Sequence, residues 1–573
     1  MTRAVATISA GKRAIALPYR PVSISPDLEL IIGPAGCKLL SAAQARALRT
    51  FSRLRSEGGA DDGVIAEGIA FLKRTGLLVD EEKIMGRFRR TTGASAAPRI
   101  GSFGIPTCNR PLNLANCARS LVENARAHGR RVEIVVVDVS PSGAVRGENL
   151  AQLRAFSEMA DIRYCGPEQR IAFWKQLGTR GVAGDVGDIT FRSFAAESNF
   201  GAARNALMLD QAGEAFISAD DDIIARTAIH PTVKEGIRIA GGERCFDCWF
   251  FPDRPAALEW ARWEQADIVG EHAALLGRSV ATLLASGAQP VNLDGMCGHF
   301  ADPEWAPRIV GTMPGKVGDS GRGDPAWDVW AGNWVPDRGL LGRLEVAELA
   351  ESTVIGHHIG FMATMVALDL RRILPPFFPR HRGEDRMFAA LLSRAMPEAC
   401  WGIVPHGIIH DRPPRGIEDP PPFLRHCEMI CAQLWGLPAR RSGRSDADAI
   451  REAGADLSRS IDAGTRELQL STLEHLGNYV AGWIAQFRRM CESDLATDQR
   501  AQIEETRQRI QLEFAELCDA VSKPATTGFS WEGLGRELAE YGQLLQHWPE
   551  IYETARKLRA ECIRMSVPLG DCR

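Results

Sequence analysis

Three consecutive aspartates, Asp220, Asp221 and Asp222, directly follow a short apolar segment with the composition of a β-strand. Carboxylates crowded at a strand end repel one another unless a cation lies beside them. Hard divalent ions such as Mg²⁺ and Mn²⁺ bind a few carboxylates and complete their shell with phosphate oxygens and water. Since alternate side chains of an extended chain point to one side, Asp220 and Asp222 are the expected metal ligands, with Asp221 facing the sheet or a ribose. For the triplet alone, a solvated acidic turn is the alternative.

Two segments upstream end in polar residues suited to a nucleotide. Residues 100–108 form an apolar strand that runs into PTCNRP, and residues 132–140, VEIVVVDVS, form a second strand containing Asp138 near its end. Ligands of an open parallel sheet bind outside the carboxyl ends of its strands. There, Asp138 can accept hydrogen bonds from a base or ribose, and groups near Thr107 can pair with a base edge. No GxGxxG follows the first strand, which disfavours the dinucleotide-binding alternative. The residues expected to contact a nucleotide here are Pro106, Thr107, Asn109, Arg110 and Asp138.

A helix-forming segment leads into the acidic triplet. Gly201 permits a tight entry into this helix, which carries Arg204 and Asn205. Arg204 can neutralise a diphosphate from the side opposite the metal, because a guanidinium forms charge-assisted hydrogen bonds with phosphate. Arg204 and Asn205 therefore join Asp221 in the expected nucleotide site.

The PTCNRP and VVVD strand ends, followed by GxxRN and DDD in this order, resemble the catalytic domain of inverting family-2 glycosyltransferases with the GT-A fold. The resemblance implies that Asp220 and Asp222 hold a metal, Mn²⁺ or Mg²⁺, that bridges the donor diphosphate, and that Asp138 contacts the nucleobase. That family usually has a second acidic residue after this aspartate, whereas this chain has Val139. The departure concerns the contact with the base or ribose and not the fold. The other nucleotide contacts implied by the resemblance are Thr107 and Arg204.

The same resemblance extends to GED, residues 383–385, which follows a proline-rich loop and opens a helix. In an inverting reaction a carboxylate takes the proton from the acceptor hydroxyl as it attacks the anomeric carbon. Asp385 is the expected base, and Glu384 is its acceptor-positioning neighbour. A favourable interaction with the helix dipole is the alternative for acidic residues in a first turn. His410, in the strand-like VPHGIIHD, matches the family's late histidine and completes the metal shell, with a core histidine as the alternative.

The predicted function is metal-dependent transfer of a sugar from a nucleotide-sugar, with a UDP-sugar expected, to a hydroxyl or similar acceptor by a single displacement. A sugar-phosphate nucleotidyltransferase is the alternative enzyme class. Such enzymes usually carry a Gly-rich loop with Lys or Arg after the first strand, which PTCNRPLN does not supply. A non-catalytic, transferase-like scaffold is disfavoured by the intact DDD and GED segments. Two further sets of residues are expected near the sugars: His357, His358 and Gly360 beside the donor, and Trp327, Trp330 and Trp334 as stacking surfaces.

Strand-like and helix-like segments alternate through the middle of the chain, which predicts an α/β fold and three blocks. Residues 1–95 contain a hairpin and two helices and resemble a small α+β, winged-helix-like module of the kind that binds leader peptides, with a helical cap on the catalytic domain as the alternative. The resemblance suggests a peptide or protein acceptor, and a glycan or lipid-linked acceptor is the alternative. Residues 96–425 form the GT-A (Rossmann-like) domain, within which the Gly-, Pro- and Trp-rich stretch 230–350 is expected to be loops. Residues 440–573 are expected to be all-α, with apolar faces that pack as a bundle or form a homodimer.

The composition narrows the class of protein. A net charge of −4 over 573 residues provides no basic footprint for nucleic acid. No apolar run is long enough to span a bilayer, and the first twenty residues lack the apolar stretch of a secretory signal. The 14 cysteines are scattered, and the pairs Cys245/Cys248 and Cys427/Cys431 are expected to be unlinked thiols. These features predict a soluble, cytoplasmic protein.

Overall fold

The computed structural model describes most of the chain. The described residues are 12–33, 36–57, 63–90, 97–183, 186–187, 200–241, 245–285, 290–302, 306–321, 345–357, 362–413, 426–440, 443–491, 497–520 and 530–572. Trp327, Trp330, Trp334, His358 and Gly360 lie outside these ranges, so their predicted contacts with sugars stay predictions. No helix within the described ranges combines the length and apolar character that crossing a bilayer needs.

The N-terminal part forms two small antiparallel sheets and three helices. Its strands are β1 (Arg13–Ala16), β2 (Arg20–Ser25), β3 (Leu28–Gly33), β4 (Gly36–Ser41), β5 (Arg55–Ser56) and β6 (Leu78–Asp80), and its helices are α1 (Ala42–Thr50), α2 (Gly63–Arg74) and α3 (Glu81–Arg90). The predicted hairpin is confirmed, because β3 and β4 pair from Leu28↔Ser41 to Gly33↔Gly36. α1 begins at a capping box between Ser41 and Gln44. The likeness to a winged-helix module stays a prediction.

The first half of the middle block is an alternating α/β unit. In chain order it contains β7 (Ile100–Thr107), α4 (Pro111–Ala127), β8 (Glu133–Asp138), α5 (Gly143–Arg154), β9 (Asp161–Cys165), α6 (Pro167–Thr179), α7 (Phe200–Asp210) and β10 (Ala215–Ala219). The four strands are parallel in the order β10-β7-β8-β9. Residues 134–137 of β8 are fully buried, because helices and neighbouring segments cover both faces of the sheet. The carboxyl ends of β7, β8 and β10 therefore meet at one edge.

The second half of the middle block enlarges this sheet with mixed strands. It contains β11 (Ile223–Ile229), β12 (Ile237–Ala240), β13 (Asp247–Phe251), α8 (Arg254–Trp260), β14 (Arg262–Trp263), α9 (Ile268–Leu275), α10 (Val280–Ala285), β15 (Val291–Asn292), α11 (Gly298–Ala301), β16 (Arg308–Asp319), β17 (Glu345–Leu349), β18 (Thr353–Gly356), β19 (Met365–Asp369), α12 (Glu384–Ala395) and β20 (Ala399–His410). β19 pairs antiparallel with β10 on one side and with β16 on the other, and β16 pairs parallel with β20. The α/β fold class is confirmed in this mixed form.

The expectation that residues 230–350 are loops is wrong. This stretch supplies β16, a buried strand near the middle of the sheet, together with shorter strands and helices. The sequence of β16, RIVGTMPGKVGD, hides its strand character because three glycines and a proline interrupt the apolar pattern. Gly311 is needed where the strand meets Trp401, since a Cβ there would lie 2.2 Å from an atom of the indole ring.

The C-terminal block is helical, as predicted, and packs on the middle block. It contains α13 (His426–Gly436), α14 (Asp446–Asp462), α15 (Thr465–Cys491), α16 (Thr497–Ala520) and α17 (Trp531–Ala560). On α17, Tyr541 and Trp548 donate hydrogen bonds to the carbonyls of Pro376 and Leu374, at 2.7 and 2.8 Å. Buried residues of α17 and of the middle block belong to one hydrophobic cluster. A homodimer through these helices stays a prediction.

The segment after α17 returns to the sheet, which the sequence did not predict. β21 (Val567–Pro568) pairs antiparallel with β9, and a short 3₁₀ turn follows at Leu569–Asp571. Next to this strand, Arg564 and Ser566 bind the fully buried carboxylate of Asp210 at the end of α7. Because an unpaired buried carboxylate is costly, this contact fixes the end of α7.

The entry to α7 yields a stability prediction. A Cβ at Gly201 would lie 1.8 Å from the carbonyl oxygen of Phe378, so Gly201→Ala forces backbone apart. We expect a loss of about 1–3 kcal/mol and a lower apparent Tm in thermal unfolding. The matched control is Gly178→Ala, on the exposed face of α6, where nothing lies within 4 Å of the new Cβ. This variant should be unchanged or gain up to about 1 kcal/mol. Equal Tm values for both variants would contradict the close approach at α7.

Candidate active site

The acidic triplet forms the turn between β10 and β11. The backbone N–H of Asp220 donates to the carbonyl of Thr364 at 2.9 Å, which holds the turn against the segment before β19. β11 then pairs antiparallel with β20 and places Ile223 opposite His410. The N–H of Asp411 donates to the carbonyl of Asp222 at 2.7 Å. The pairing of β11 with β20 therefore brings the end of the triplet beside a histidine that lies far along the chain.

His410 and Asp222 form the part of the site with the clearest geometry. Nδ1 of His410 lies 2.6 Å from the carbonyl oxygen of Asp319. Since a carbonyl only accepts hydrogen bonds, the proton is on Nδ1, and the Nε2 of a neutral ring presents a lone pair. This Nε2 lies 3.3 Å from Oδ1 of Asp222, a buried oxygen that makes no hydrogen bond of normal geometry within the described residues.

These two donors fit a divalent cation. A carboxylate oxygen and an imidazole nitrogen at this separation can be ligands of one metal, and the carbonyl of Asp319 orients the histidine as an outer-shell partner does. Burial raises the pKa of Asp222, whereas a protonated His410, which would donate from Nε2, and Arg110 lower it by more, so the net pKa lies below the usual range and the carboxylate is ionised. A bound metal would take the place of that Nε2 proton. Asp220 accepts a hydrogen bond from Arg204. In this conformation it does not complete a set of three closely spaced donors with Asp222 and His410, because the set of that kind among the described residues lies elsewhere.

Asp221 faces the end of β7, one of the two orientations predicted for it. Its carboxylate accepts a hydrogen bond from the Thr107 hydroxyl at 2.7 Å and one from Arg110 at 3.1 Å. Arg110 also donates to Asp222 at 2.8 Å, so one guanidinium bridges both carboxylates. Burial, together with the charge of Asp222, raises the pKa of Asp221 to about 7. Thr107 and Arg110 thus lie at the triplet, and their contacts with a nucleotide stay predictions.

Arg204 joins the triplet to the GED segment. This buried guanidinium donates to Asp220 at 2.7 Å, to Glu384 at 3.2 Å and to the hydroxyl of Ser218 at 3.0 Å. Burial raises the pKa of Glu384 to about 7, with the charges of Asp385 and Asp220 adding to the rise and Arg204 opposing it. Arg204 is therefore held between two carboxylates from distant parts of the sequence. Its predicted contact with a diphosphate stays a prediction.

Asp385 is half-buried at the start of α12, where Gly383 adopts a left-handed conformation and begins the helix. Within the described residues, its carboxylate accepts one hydrogen bond, from the backbone N–H of Arg386 at 2.8 Å. The side chain of Arg386 points elsewhere, to Glu428 at 2.5 Å and to the hydroxyl of Tyr479. Among the described residues Asp385 forms no ion pair, whereas Glu384 pairs with Arg204.

Asp138 is fully buried at the end of β8, and its carboxylate is bound within the protein. It accepts hydrogen bonds from the N–H of Ser140 at 2.8 Å, from Asn149 at 2.7 Å and from the hydroxyl of Tyr164 at 2.8 Å. Both oxygens are used, so the carboxylate holds β8, α5 and β9 together. Its role as a nucleobase contact stays a prediction, and these bonds would have to rearrange to allow it.

The remaining predicted nucleotide contacts differ in accessibility. Pro106 is buried in β7 opposite Val137. Asn205 is fully buried and exchanges two hydrogen bonds with the backbone of Phe377, which makes it a clamp on the loop before α12. Asn109 is exposed and left-handed at the end of β7, with its backbone N–H bonded to Ser140. Of these three, Asn109 alone presents its side chain to solvent.

Two histidines lie apart from the acidic triplet. His357 follows β18, whose end at Gly356 pairs with Trp401 near the start of β20. It therefore lies at the opposite end of β20 from His410, where its Nε2 bonds the carbonyl of Pro397. Its predicted place beside the donor sugar stays a prediction. His406 pairs with Glu271 at 2.5 Å.

Sequence reasoning missed the residues that orient the site. Asp319 is the last residue of β16, a strand that was not predicted. Had the strand been recognised, the position of Asp319 at its end would have made this residue a candidate for the site. Nothing in the sequence marked Ser140, Asn149 and Tyr164 as site residues. That they bind the same carboxylate, Asp138, becomes evident only when β8 and β9 are paired.

Comparisons with known proteins give little guidance. No protein-family model matches the chain, and no curated protein matches its sequence. Among solved structures, a mannosyltransferase from Pyrobaculum calidifontis, determined in complex with GDP-mannose and Mn²⁺, is similar over 77% of this chain and 92% of that chain. The sequence identity is 13% and the TM-score is 0.29. A likeness of this size supports no conclusion, so the function must be argued from the chain's own residues.

The His410–Asp222 pair predicts a metal-binding phenotype. Loss of an outer-shell partner typically weakens metal affinity by roughly 10- to 100-fold. Because Asp222 and His410 would bind the metal directly, Asp222→Asn and His410→Gln should each weaken Mn²⁺ binding by more than this. Asp411→Asn, which removes the same charge from the next, exposed residue after His410, should leave the affinity unchanged. Titration of metal-free protein with Mn²⁺, followed by electron paramagnetic resonance, measures this difference. Equal Mn²⁺ affinities for all three variants would contradict metal binding at this turn.

Proposed function

We propose that the chain is a metal-dependent glycosyltransferase that transfers a sugar from a nucleotide-sugar donor to an acceptor hydroxyl with inversion. The observation that carries the proposal is the Asp222–His410 pair at the edge where the parallel strands end, with the histidine oriented by the Asp319 carbonyl. The resemblance of the motifs to family-2 enzymes agrees with this placement. The GT-A assignment, the UDP-sugar donor and the cytoplasmic location belong to the same proposal.

We assign the metal to Asp222 and His410, with Asp220 joining them as a third ligand after a shift of its side chain. When bound there, the ion would stabilise the charge that develops on the departing nucleoside diphosphate. An imidazole among the ligands favours a transition metal such as Mn²⁺ over Mg²⁺, which binds oxygen ligands almost exclusively. Arg110 lies on the same carboxylates and is suited to the donor phosphates if it releases them.

Asp385 is the proposed base. In a single displacement the acceptor oxygen forms a bond to the anomeric carbon while the bond from that carbon to the phosphate oxygen breaks. The acceptor proton passes to the Asp385 carboxylate, and the nucleoside diphosphate leaves with the electron pair. Arg204 supports this arrangement, because it ties Glu384, the neighbour of Asp385, to Asp220 of the metal site. The guanidinium of Arg204 would thereby hold the proposed base and the proposed metal site in a fixed relation to each other.

The N-terminal part supports a peptide or protein acceptor. Leu39 of β4 lies opposite Leu30 of β3, and Ile32 shares their face of the sheet because it is two residues further along β3. The opposite face, with Ile31 and Leu40, is buried. The outer face thus leaves large apolar side chains in water, which is typical of a surface that binds another chain.

The donor and the base are tested together. We expect a thermal shift with Mn²⁺ plus one nucleoside diphosphate among UDP, GDP, ADP and CDP, and Mn²⁺-dependent release of that nucleotide from its sugar conjugate. Asp385→Asn should keep the donor-induced shift and lose turnover by roughly 100-fold or more. Glu550→Gln, on the exposed part of α17, is the control for charge and should be fully active. The absence of both turnover and metal-dependent nucleotide binding in the wild type would favour the non-catalytic scaffold.

The acceptor surface has its own test. Leu39→Glu should weaken binding and glycosylation of a peptide or protein acceptor while leaving donor hydrolysis unchanged, since a charge on the outer face opposes apolar contact. Ile171→Glu is the matched control, because Ile171 is 51% exposed on α6 and Leu39 is 54% exposed. Substitution is preferable to deletion of the whole block, because Ile15, Leu54 and Phe88 share a hydrophobic cluster with residues of the middle block. Identical acceptor affinity for both variants would contradict a role of this surface in binding the acceptor.

A further inference from the structure

Two histidines and a glutamate from three distant segments meet beside the GED segment. His381 lies in the loop before α12, His426 is the first residue of α13, and Glu537 belongs to α17. The Nε2 atoms of both histidines lie 2.8 Å from the same carboxylate oxygen, Oε2 of Glu537. The two imidazole rings are 4.5 Å apart, so one ligand atom from each residue points into one small volume.

We propose that His381, His426 and Glu537 form a second metal site, which takes Zn²⁺ or a similar transition-metal ion. Two imidazole nitrogens with one carboxylate oxygen are an established ligand set for zinc, with water in the remaining position. The separations agree with this assignment, since ligands about 2.0–2.1 Å from a tetrahedral ion lie roughly 3.3 Å from one another, a small outward shift from the 2.8 Å contacts.

The surroundings suit a bound ion. All three residues are half-buried, so solvent and metal ions can reach them while the protein holds their side chains. His381 has a left-handed backbone with φ of 67°, an unfavourable conformation for a residue with a Cβ that must be maintained by contacts on its side chain. Its ring also stacks on Phe378, which packs on Tyr541 of α17.

The ligands differ in kind from those at the acidic triplet. The triplet offers mainly carboxylate oxygens and one imidazole, whereas this cluster offers two imidazoles and one carboxylate. Softer, nitrogen-rich sets favour Zn²⁺ over Mg²⁺ and Mn²⁺. Because the two donor sets prefer different ions, metal analysis can distinguish binding at one site from binding at the other. The zinc site does not depend on the proposed transferase activity.

The position of the ion would connect two parts of the structure. His381 lies three residues before Glu384, so a metal bound to it and to Glu537 fixes the loop that leads to Glu384 and Asp385 against α17. Arg380 and Glu540 form an ion pair at 3.0 Å between the same loop and helix. A zinc at this position would link the C-terminal helices to the edge of the candidate active site.

The alternative occupant is a proton on each Nε2, with both rings donating to Glu537, and metal analysis of untagged, full-length protein separates the two. We expect about one equivalent of zinc per chain after dialysis against Mn²⁺ without zinc. Removing zinc with a chelator should lower the Tm, and adding Zn²⁺ should restore it. Co²⁺ in place of zinc should give the visible absorption of a tetrahedral site.

Variants assign the ion to these residues. His426→Ala and Glu537→Gln should lose the zinc, the Co²⁺ absorption and the Zn²⁺-dependent Tm shift. His547→Ala, a histidine elsewhere on α17, and Asp222→Asn, at the acidic triplet, should keep all three. Glu537→Gln preserves the shape of the side chain if His426→Ala fails to fold. Wild-type protein that binds no zinc, or variants that retain it as the wild type does, would overturn the proposal.

Discussion

The structure depends on compensating a concentration of negative charge at one edge of a sheet. Asp221, Asp222 and Glu384 are buried there, and Asp220 lies between them. Isolated carboxylates in such surroundings are costly, and three cationic or proton-bearing groups offset them. Arg110 bridges Asp221 and Asp222, Arg204 bridges Asp220 and Glu384, and His410 lies beside Asp222. Among the described residues, Oδ1 of Asp222 is left without a hydrogen bond of normal geometry, and this is where the proposed divalent ion would supply positive charge.

The sheet is what brings these groups together. β7, β8 and β10 deliver Thr107, Asp138 and the triplet to the same edge because they are parallel and adjacent. β20 reaches this edge from the other half of the middle block, and its pairing with β11 sets His410 opposite the end of the triplet. The helices fix the remaining positions: α7 carries Arg204, and α12 begins with Glu384. A site built this way is held by backbone pairing more than by loops.

Much of this could be inferred from sequence because the local signals were strong. An apolar run that ends in aspartates, as before Asp220, identifies a strand end without any tertiary information. The partners of those aspartates were less accessible. That Asp138 is saturated by Asn149 and Tyr164 follows from the register of β8 and β9, which no local pattern encodes. β16 was not predicted because its glycines interrupt the apolar pattern of a strand. These glycines are needed where Trp401 and neighbouring backbone approach closely, which is a tertiary requirement.

The bond between Asp210 and segment 564–566 has a consequence for biosynthesis. Asp210 ends the helix that carries Arg204, and its buried carboxylate is bound by Arg564, which is synthesised 354 residues later. A nascent chain that has just completed the α/β unit has Gln211 beside this carboxylate but lacks the bonds from Arg564 and Ser566. Domains commonly fold in order of synthesis. Here the end of the arginine-bearing helix receives its last partners only after nearly the whole chain has been made.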